Sequence, residues 1–259
     1  MYHRAERSVV GWVCVLLGSA LLGGALLANA IGPLCAADAD RYAPARTALV
    51  AEIESDVRET AEYLGRDHLD ERVLAALRTV PRHAFVPLLE RPFAYENRPL
   101  PIGHGQTISQ PYIVAIMTDL LDPQPGDRVF ELGTGSGYQA AVLATLVDQV
   151  YSLEIVEPLA NAARERLAEL GYDNVSVRQG DGYYGWPEHA PFDAIVVTAA
   201  ASHVPPPLVA QLKPGGRMII PVGSNFLTQQ LVLVTKHDDG SIRTRPLLPV
   251  RFVPVTGDH

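Results

Sequence analysis

A glycine-rich turn at residues 126–138 constrains the fold of this chain more than any other stretch. An apolar segment, Arg128–Leu132, runs into Gly133, Gly135 and Gly137. Glycines at alternate positions permit positive φ angles and let a ligand lie against the backbone, and a following helix offers free N–H groups. The spacing is GxGxG, not the GxGxxG of the usual dinucleotide fingerprint. The pattern predicts a strand, a tight turn and a helix that together hold a ligand.

Strand and helix patterns alternate after this turn, which is the signature of a doubly wound, mostly parallel sheet. The predicted strands are Arg128–Leu132, Gln149–Ile155, Val175–Gln179, Phe192–Thr198 and Arg217–Pro221, and the predicted helices are Gly137–Leu146, Pro158–Leu170 and Pro206–Leu212. Two further β-rich runs, Gln229–His237 and Ile242–Val253, predict a closing antiparallel hairpin. We therefore expect an α/β, Rossmann-like fold.

The region before the sheet predicts helices at Thr47–Leu64, Leu69–Val80 and Tyr112–Leu121, from apolar residues at helical spacing. A proline-rich stretch from Pro81 to Pro111 is too long and too apolar to be an idle loop. We assign residues 47–259 to one domain, with residues 47–125 as its N-terminal helical and lid part.

The first 37 residues predict a signal peptide or an N-terminal membrane anchor. Arg4 and Arg7 precede an uncharged run from Val9 to Ala28, and small residues suited to signal peptidase follow. A buried first helix of a cytosolic domain is the alternative. Residues 38–46 are small and polar and predict a linker. We expect a cell-envelope protein, periplasmic or anchored in the inner membrane, with a cytoplasmic location as the alternative.

Composition excludes several classes of function. Both cysteines, Cys14 and Cys35, lie in the N-terminal segment, so the domain has no disulfide framework and no cysteine-based metal site, and we expect no metal. The net charge of −8 argues against a nucleic-acid partner. We expect a monomer, with membrane contact only through the N-terminal segment if that segment is not cleaved.

Candidate ligand-binding groups fall at the carboxyl ends of successive predicted strands, where open parallel sheets bind ligands. Glu154 ends the second strand, at the usual place for a carboxylate that accepts from ribose hydroxyls. Asp181 and Gly182 follow the third strand, and Thr198 follows the fourth. Glu131 would repel a pyrophosphate but not a sulfonium or an amino group. The set favours S-adenosylmethionine over a dinucleotide, and no P-loop motif supports ATP.

Several motifs together resemble the protein-L-isoaspartate (D-aspartate) O-methyltransferases, over about Leu74 to Pro254. The most specific is RPLPIGHGQTISQPY at residues 98–112, supported by ELGTGSGY at 131–138, GDGYYGW at 180–186, LKPGGR at 212–217 and IPVG at 220–223. The resemblance implies a methyltransferase with S-adenosylmethionine as methyl donor. It implies as acceptor the α-carboxylate of L-isoaspartyl and D-aspartyl residues in damaged proteins, whose methyl ester closes to a succinimide and so initiates repair.

The resemblance also implies roles for individual residues. Ser109 maps onto the active-site serine, and its alternative role is an N-cap for the helix that begins at Pro111. The residues implied on the cofactor side are Thr107, Ile108, Gln110, Glu131, Gly133, Gly135, Glu154, Asp181 and Gly182, and Thr198 joins them as a candidate by its place after the fourth strand. His104 and Thr256 are implied on the lid and substrate side, where His104 could instead be an exposed loop residue. A carboxylate acceptor is already nucleophilic, so no general base is required.

Three alternatives remain open at this stage. A methyltransferase of the same fold could act on another acceptor. A nicotinamide oxidoreductase is disfavoured because the glycine spacing is wrong and no Tyr-x-x-x-Lys pair is present. A non-catalytic envelope protein could keep the fold, although the glycines, Glu154, Asp181 and Ser109 disfavour this.

Overall fold

The computed structural model describes residues 41–224 and 227–257, and within these ranges the chain forms seven α-helices and nine strands. The helices are α1 Ala43–Glu59, α2 Ala61–Leu64, α3 Glu71–Thr79, α4 Pro111–Leu121, α5 Tyr138–Ala144, α6 Glu157–Glu169 and α7 Pro206–Gln211. The strands are β1 Leu100–Gly103, β2 Gln106–Ile108, β3 Arg128–Leu132, β4 Gln149–Glu154, β5 Val175–Gln179, β6 Phe192–Val197, β7 Leu212–Val222, β8 Gln229–Lys236 and β9 Ile242–Val250.

Seven of the strands form one sheet in the order β5-β4-β3-β6-β7-β8-β9. Every neighbouring pair from β5 to β7 is parallel, and β7/β8 and β8/β9 are antiparallel. The order reverses at β3, so β4 and β6 flank it and their carboxyl ends open a crevice beside the glycine turn. The predicted α/β fold, with a mostly parallel sheet and a closing antiparallel hairpin, is confirmed.

The helix α4 is the central helix of the N-terminal part. All of its residues, Pro111–Leu121, are buried, because it packs against α1 and α3 on one side and against β6 and β7 on the other. Burying one large apolar side chain of this kind contributes about 1.5–3 kcal/mol. The helix therefore fixes the preceding residues, 98–110, against the sheet.

The N-terminal part differs from the sequence expectation in two places. The helix predicted at Thr47–Leu64 begins four residues earlier, at Ala43, where a proline in the first turn suits a helix start, so the predicted linker 38–46 overlaps it. This helix stops at Thr60, whose hydroxyl donates to the Asp56 carbonyl, and a separate short turn follows to Leu64. Residues 100–108 form an antiparallel β-hairpin, which the sequence did not predict.

The predictions for residues 1–37, and for 38–40 of the linker, lie outside the described residues. Among residues 41–224 and 227–257, no helix is both long and apolar enough to cross a membrane. The same residues contain no group of three His, Cys, Asp or Glu side chains arranged to hold a metal ion.

Candidate active site

A cleft lies at the carboxyl ends of β3, β4 and β6, and we call it the glycine-turn cleft. Its walls include residues from the turn, the strand ends, the β1–β2 hairpin and the C-terminal run after β9: Ser109, Gly133, Gly135, Glu154, Thr198 and Thr256. The parallel strands bring these segments together because their carboxyl ends meet at one edge of the sheet. Gly133, Glu154 and Thr198 therefore lie together at the sheet edge where the sequence pattern places them.

Gly133 is the tightest point of the turn. Its φ is +98°, and its N–H donates to the Leu153 carbonyl at 2.8 Å. A Cβ at this position would come closer to Thr198 Oγ1 than van der Waals contact allows. The Thr198 hydroxyl donates to the main-chain carbonyls of Leu132 and Gly133, at 2.9 Å and 2.6 Å. Only glycine fits here, and Thr198 locks the turn to the end of β6.

Glu154 links the end of β4 to the glycine turn. One carboxylate oxygen accepts from the Gly135 N–H at 2.7 Å, and the other accepts from the Val156 N–H at 2.9 Å. The residue is 6 % exposed and lines the glycine-turn cleft. Two main-chain donors hold the carboxylate in place, so its remaining lone pairs are preorganised to accept from a ligand in the cleft.

Glu131 does not line the cleft; it lies beneath it. The side chain is fully buried and accepts from the Ser152 hydroxyl, which also bonds to Thr134 Oγ1 at 2.5 Å. Its second oxygen has no hydrogen-bond partner. Burial raises the pKa of Glu131 to about 8, and the nearby Glu154 acts in the same direction. Burial therefore favours the neutral form of this carboxyl, and the expectation that its charge disfavours a pyrophosphate stays a prediction.

Asp181 and Gly182, which follow β5, make different contacts. Gly182 lines the cleft, and a Cβ there would overlap Leu132 Cγ, so a side chain could enter only by displacing the end of β3. Asp181 caps the turn that follows: its carboxylate accepts from the Tyr183 N–H at 2.9 Å. Gly182 thus belongs to the cleft wall, and Asp181 holds the loop beside it.

The β1–β2 hairpin and the residues after it cover the cleft. Thr107, Ile108 and Ser109 line it, whereas His104 lies exposed at the hairpin tip with φ +53° and does not line this cleft. Gln110 occupies the N-cap position of α4 and lines a second cleft instead. The alternative role of Ser109 as the N-cap is therefore wrong.

The C-terminal run after β9 completes the wall opposite the hairpin. Val253–Thr256 line the glycine-turn cleft, as the resemblance implied for Thr256. The Ala200 N–H donates to the Val253 carbonyl at 2.7 Å, and the Val255 N–H donates to the Ala200 carbonyl at 2.8 Å. These two bonds fasten the run to the segment that follows β6.

A second cleft of about 580 Å³ adjoins the first, and we call it the α1 cleft. Its walls come from α1, the start of α4 and residues 248–253, and they carry Asp56, Glu59 and Arg251. The Thr60 and Tyr112 hydroxyls bond to each other at 2.5 Å on the same wall. These residues could not be identified from the sequence, because the periodicity of α1 marks only its buried face.

The two clefts share part of their walls. Thr107, Ser109, Thr198 and Val253 line both. A ligand in the glycine-turn cleft and a ligand in the α1 cleft would therefore meet at Ser109. The arrangement suits transfer of a group between two bound molecules, with hydroxyls rather than a titrating acid–base pair at the junction.

Comparison with known proteins assigns this arrangement to a class. A solved structure titled protein-L-isoaspartate O-methyltransferase is similar at 30 % identity and a TM-score of 0.67, covering 79 % of this chain and 66 % of that one. A Plasmodium falciparum isoaspartate methyltransferase, in complex with S-adenosyl-L-homocysteine, matches at 29 % identity and a TM-score of 0.62 over 78 % of this chain and 97 % of that one. The fold is that of the Rossmann-like, S-adenosylmethionine-dependent methyltransferases.

The family within that class follows from the sequence comparisons. The model of the protein-L-isoaspartate (D-aspartate) O-methyltransferases matches residues 59–259. Protein-L-isoaspartate O-methyltransferase 2 of Syntrophobacter fumaroxidans is 63 % identical over 255 residues, covering 98 % of this chain and all of that protein. This chain belongs to the protein-L-isoaspartate (D-aspartate) O-methyltransferase family.

Proposed function

We propose that the protein transfers the methyl group of S-adenosylmethionine to the α-carboxylate of L-isoaspartyl, and also D-aspartyl, residues in damaged proteins. The observation that carries this proposal is the shared wall: Ser109 lines both the glycine-turn cleft and the α1 cleft. Family membership and the bound S-adenosyl-L-homocysteine of the Plasmodium falciparum relative support the same function.

The chemistry of the residues that line the glycine-turn cleft suits this cofactor. Glu154 is held by two main-chain donors and would accept from ribose hydroxyls, Gly182 on the cleft wall would contact the adenine, and Gly133 and Gly135 would carry the methionine end. Thr107, Ile108 and Thr198 would close the cleft around it. When bound, the cofactor supplies an activated methyl group on a sulfonium.

The chain's own contribution is alignment. The Thr198 hydroxyl is already bonded to two main-chain carbonyls, so at the junction Ser109 and Thr107 are the hydroxyls that can turn toward an acceptor. We assign to Ser109 a hydrogen bond to one oxygen of the acceptor carboxylate, which leaves the other oxygen facing the glycine-turn cleft. The hairpin and the C-terminal run flank this point, and we assign the catalysis to orientation and desolvation of the bound acceptor.

A paired-peptide assay tests the proposal. The full chain is incubated with labelled S-adenosylmethionine and two peptides that differ only in an aspartyl or isoaspartyl linkage. We expect label in the isoaspartyl peptide alone, released on standing as the ester closes to a succinimide. Ser109→Ala should lower turnover more than cofactor affinity, and Ser241→Ala, in the exposed β8–β9 turn, serves as the matched control. Cofactor binding with no label in either peptide would reject this acceptor.

We also propose that residues 1–37 export the domain, as a cleaved signal or an uncleaved anchor, and that the domain acts as a monomer. The uncharged run Val9–Ala28 supports export. The 255-residue match to the Syntrophobacter fumaroxidans relative must include most of this segment, which supports its belonging to the protein. Fractionating cells and sequencing the mature N-terminus tests export, and light scattering tests the monomer. A cytoplasmic chain that starts at Met1 would contradict the first part.

A further inference from the structure

Arg82 is an unusual residue for the interior of a protein. It follows Pro81 in a short 3₁₀ turn, Arg82–Phe85, and its side chain is completely buried. Arginine is almost never fully buried unless it is paired with a carboxylate. None of the ion pairs found among residues 41–224 and 227–257 includes Arg82.

The guanidinium makes few contacts, and these converge on the active site. Its Nη2 donates to the Ser109 carbonyl at 2.8 Å and, more weakly, to the Arg98 carbonyl at 3.4 Å. The group lies over the ring of Tyr138, 4.9 Å from the ring centroid. Tyr138 is the first residue of α5, directly after the glycine turn, and it lines the glycine-turn cleft. One side chain thus contacts both the lid segment and the start of the cofactor-side helix.

Stability does not account for this residue. Nε and Nη1 have no hydrogen-bond partner, so two donors are buried unsatisfied. Burial lowers the pKa of Arg82 to about 10, which still leaves it charged at neutral pH. An apolar side chain of similar volume is often as stable as a buried charge, or more stable. The unfavourable burial is explained if the cation acts on the site.

We infer that Arg82 is a positioning residue for methyl transfer: it holds the Ser109 main chain against Tyr138 and so sets where the Ser109 hydroxyl stands. The inference rests on the proposed function of Ser109. A charge-assisted bond to the Ser109 carbonyl restricts the peptide plane that follows this residue, and the ring of Tyr138 restricts the guanidinium itself. Arg82 does not line either cleft, so it acts through Ser109 rather than on the acceptor.

A double-mutant cycle on the full chain tests the inference. The variants are Arg82→Met, Ser109→Ala and their combination, with Arg82→Lys as the conservative replacement that keeps the charge and one donor. Arg78→Met is the matched control, because Arg78 is a partly exposed arginine on α3 that pairs with the exposed Glu71. Peptide kcat and KM, the cofactor dissociation constant and the melting temperature are measured for each.

We expect Arg82→Met to lower kcat/KM for the isoaspartyl peptide about 10- to 100-fold, the range for losing a hydrogen bond from a charged group. The cofactor dissociation constant should change less than about threefold, and the melting temperature should not fall. In the Arg82→Met background, Ser109→Ala should cost less than about threefold further, because coupled residues are not additive. Arg82→Lys should recover part of kcat.

Two results would overturn the inference. The first is additivity of Arg82→Met and Ser109→Ala, which would mean that the two residues act independently. The second is a loss of activity that follows a fall in melting temperature and cofactor affinity, which would mean a structural role. If Arg82→Met does not fold, the cycle of Arg82→Lys with Ser109→Ala decides by the same criterion. If the Ser109→Ala single variant is unimpaired, the proposed function of Ser109 is contradicted. This outcome differs from the two results that would overturn the role of Arg82.

Discussion

The two clefts that meet at Ser109 are lined by different kinds of groups. The glycine-turn cleft uses main chain and buried side chains at the ends of three parallel strands, and Glu154 in it is held by two main-chain N–H groups. The α1 cleft uses exposed side chains from a helix and from a C-terminal run, among them Glu59 and Arg251. We therefore expect the first to select one ligand shape. The second suits an extended ligand whose sequence varies, such as a peptide.

This contrast predicts that substitutions in the two clefts affect different quantities. Substitutions in the glycine-turn cleft should lower cofactor affinity, because this cleft is formed by main-chain atoms and buried side chains. Changes in the α1 cleft should act on the peptide KM and be smaller, because exposed charges are screened by solvent. Ser109, on the shared wall, should act on kcat.

The largest effect is expected for Gly133→Ala. The added Cβ would overlap the Thr198 hydroxyl, and a φ of +98° is strained for any residue with a side chain. The turn would have to move, so we expect cofactor affinity to fall about 100-fold or more, which calorimetric titration measures. Gly126→Ala is the matched control, since a Cβ there meets nothing within 4 Å. Equal cofactor affinities in the two variants would contradict the assignment of the glycine turn to the cofactor.

The buried carboxyl beneath the glycine turn should make stability depend on pH. The pKa of Glu131 is raised from an ordinary value of 4.5 to about 8, so between these values the folded protein binds a proton that the unfolded chain releases. This contribution to the free energy of unfolding is complete below pH 4.5 and is lost as pH rises to 8, with a slope of at most about 1.4 kcal/mol per pH unit.

Glu131→Gln removes this titration. Denaturant unfolding at several pH values from 5 to 9 should show a flatter stability profile for the variant than for the parent protein. Glu169→Gln, in the last turn of α6, is an exposed control that should leave the profile unchanged. Parallel profiles for parent and Glu131→Gln would mean that another group carries the pH dependence.

Glu154→Gln should weaken cofactor binding about 10- to 100-fold, because a charged acceptor for the ribose becomes a neutral one. The peptide KM, measured at saturating cofactor, should stay within about twofold, since Glu154 does not line the α1 cleft. The exposed neighbour Glu157 supplies the control Glu157→Gln. A raised peptide KM with unchanged cofactor affinity would reverse the assignment of the clefts.

The fold and the residues at the carboxyl ends of the strands could be predicted from the sequence, whereas the residues that line the α1 cleft could not. Glu154, Gly182 and Thr198 could be placed at one edge of the sheet because each stands at or just after the end of a strand. Parallel pairing brings the ends of these strands together. Asp56, Glu59 and Arg251 were not found, since α1 and residues 248–253 meet only through tertiary packing. Local patterns carry no signal for contacts of this range.

Two further features were beyond local patterns for related reasons. The strand order past β6 depends on how β7 to β9 fold back on the sheet, and an apolar alternation does not state which neighbour a strand chooses. Arg82 follows a proline in a turn, a setting that predicts an exposed side chain, whereas its guanidinium is buried against Arg98, Ser109 and Tyr138, which are distant in the sequence.

The smallest effect is expected from charge in the α1 cleft, and it tests the cleft as a peptide site. Glu59 is exposed on α1 and stands with Asp56 on the same wall, so the wall is negative. Glu59→Lys should raise the KM for an isoaspartyl peptide with a neighbouring lysine, and lower it for the matched peptide with a glutamate. The change in the ratio should be about fivefold or less, and should shrink as salt is added. Glu62→Lys, three residues on and outside the cleft, should leave the ratio unchanged. If both variants shift the ratio equally, the effect is one of net charge, and the α1 cleft loses its assignment as the surface that meets the peptide.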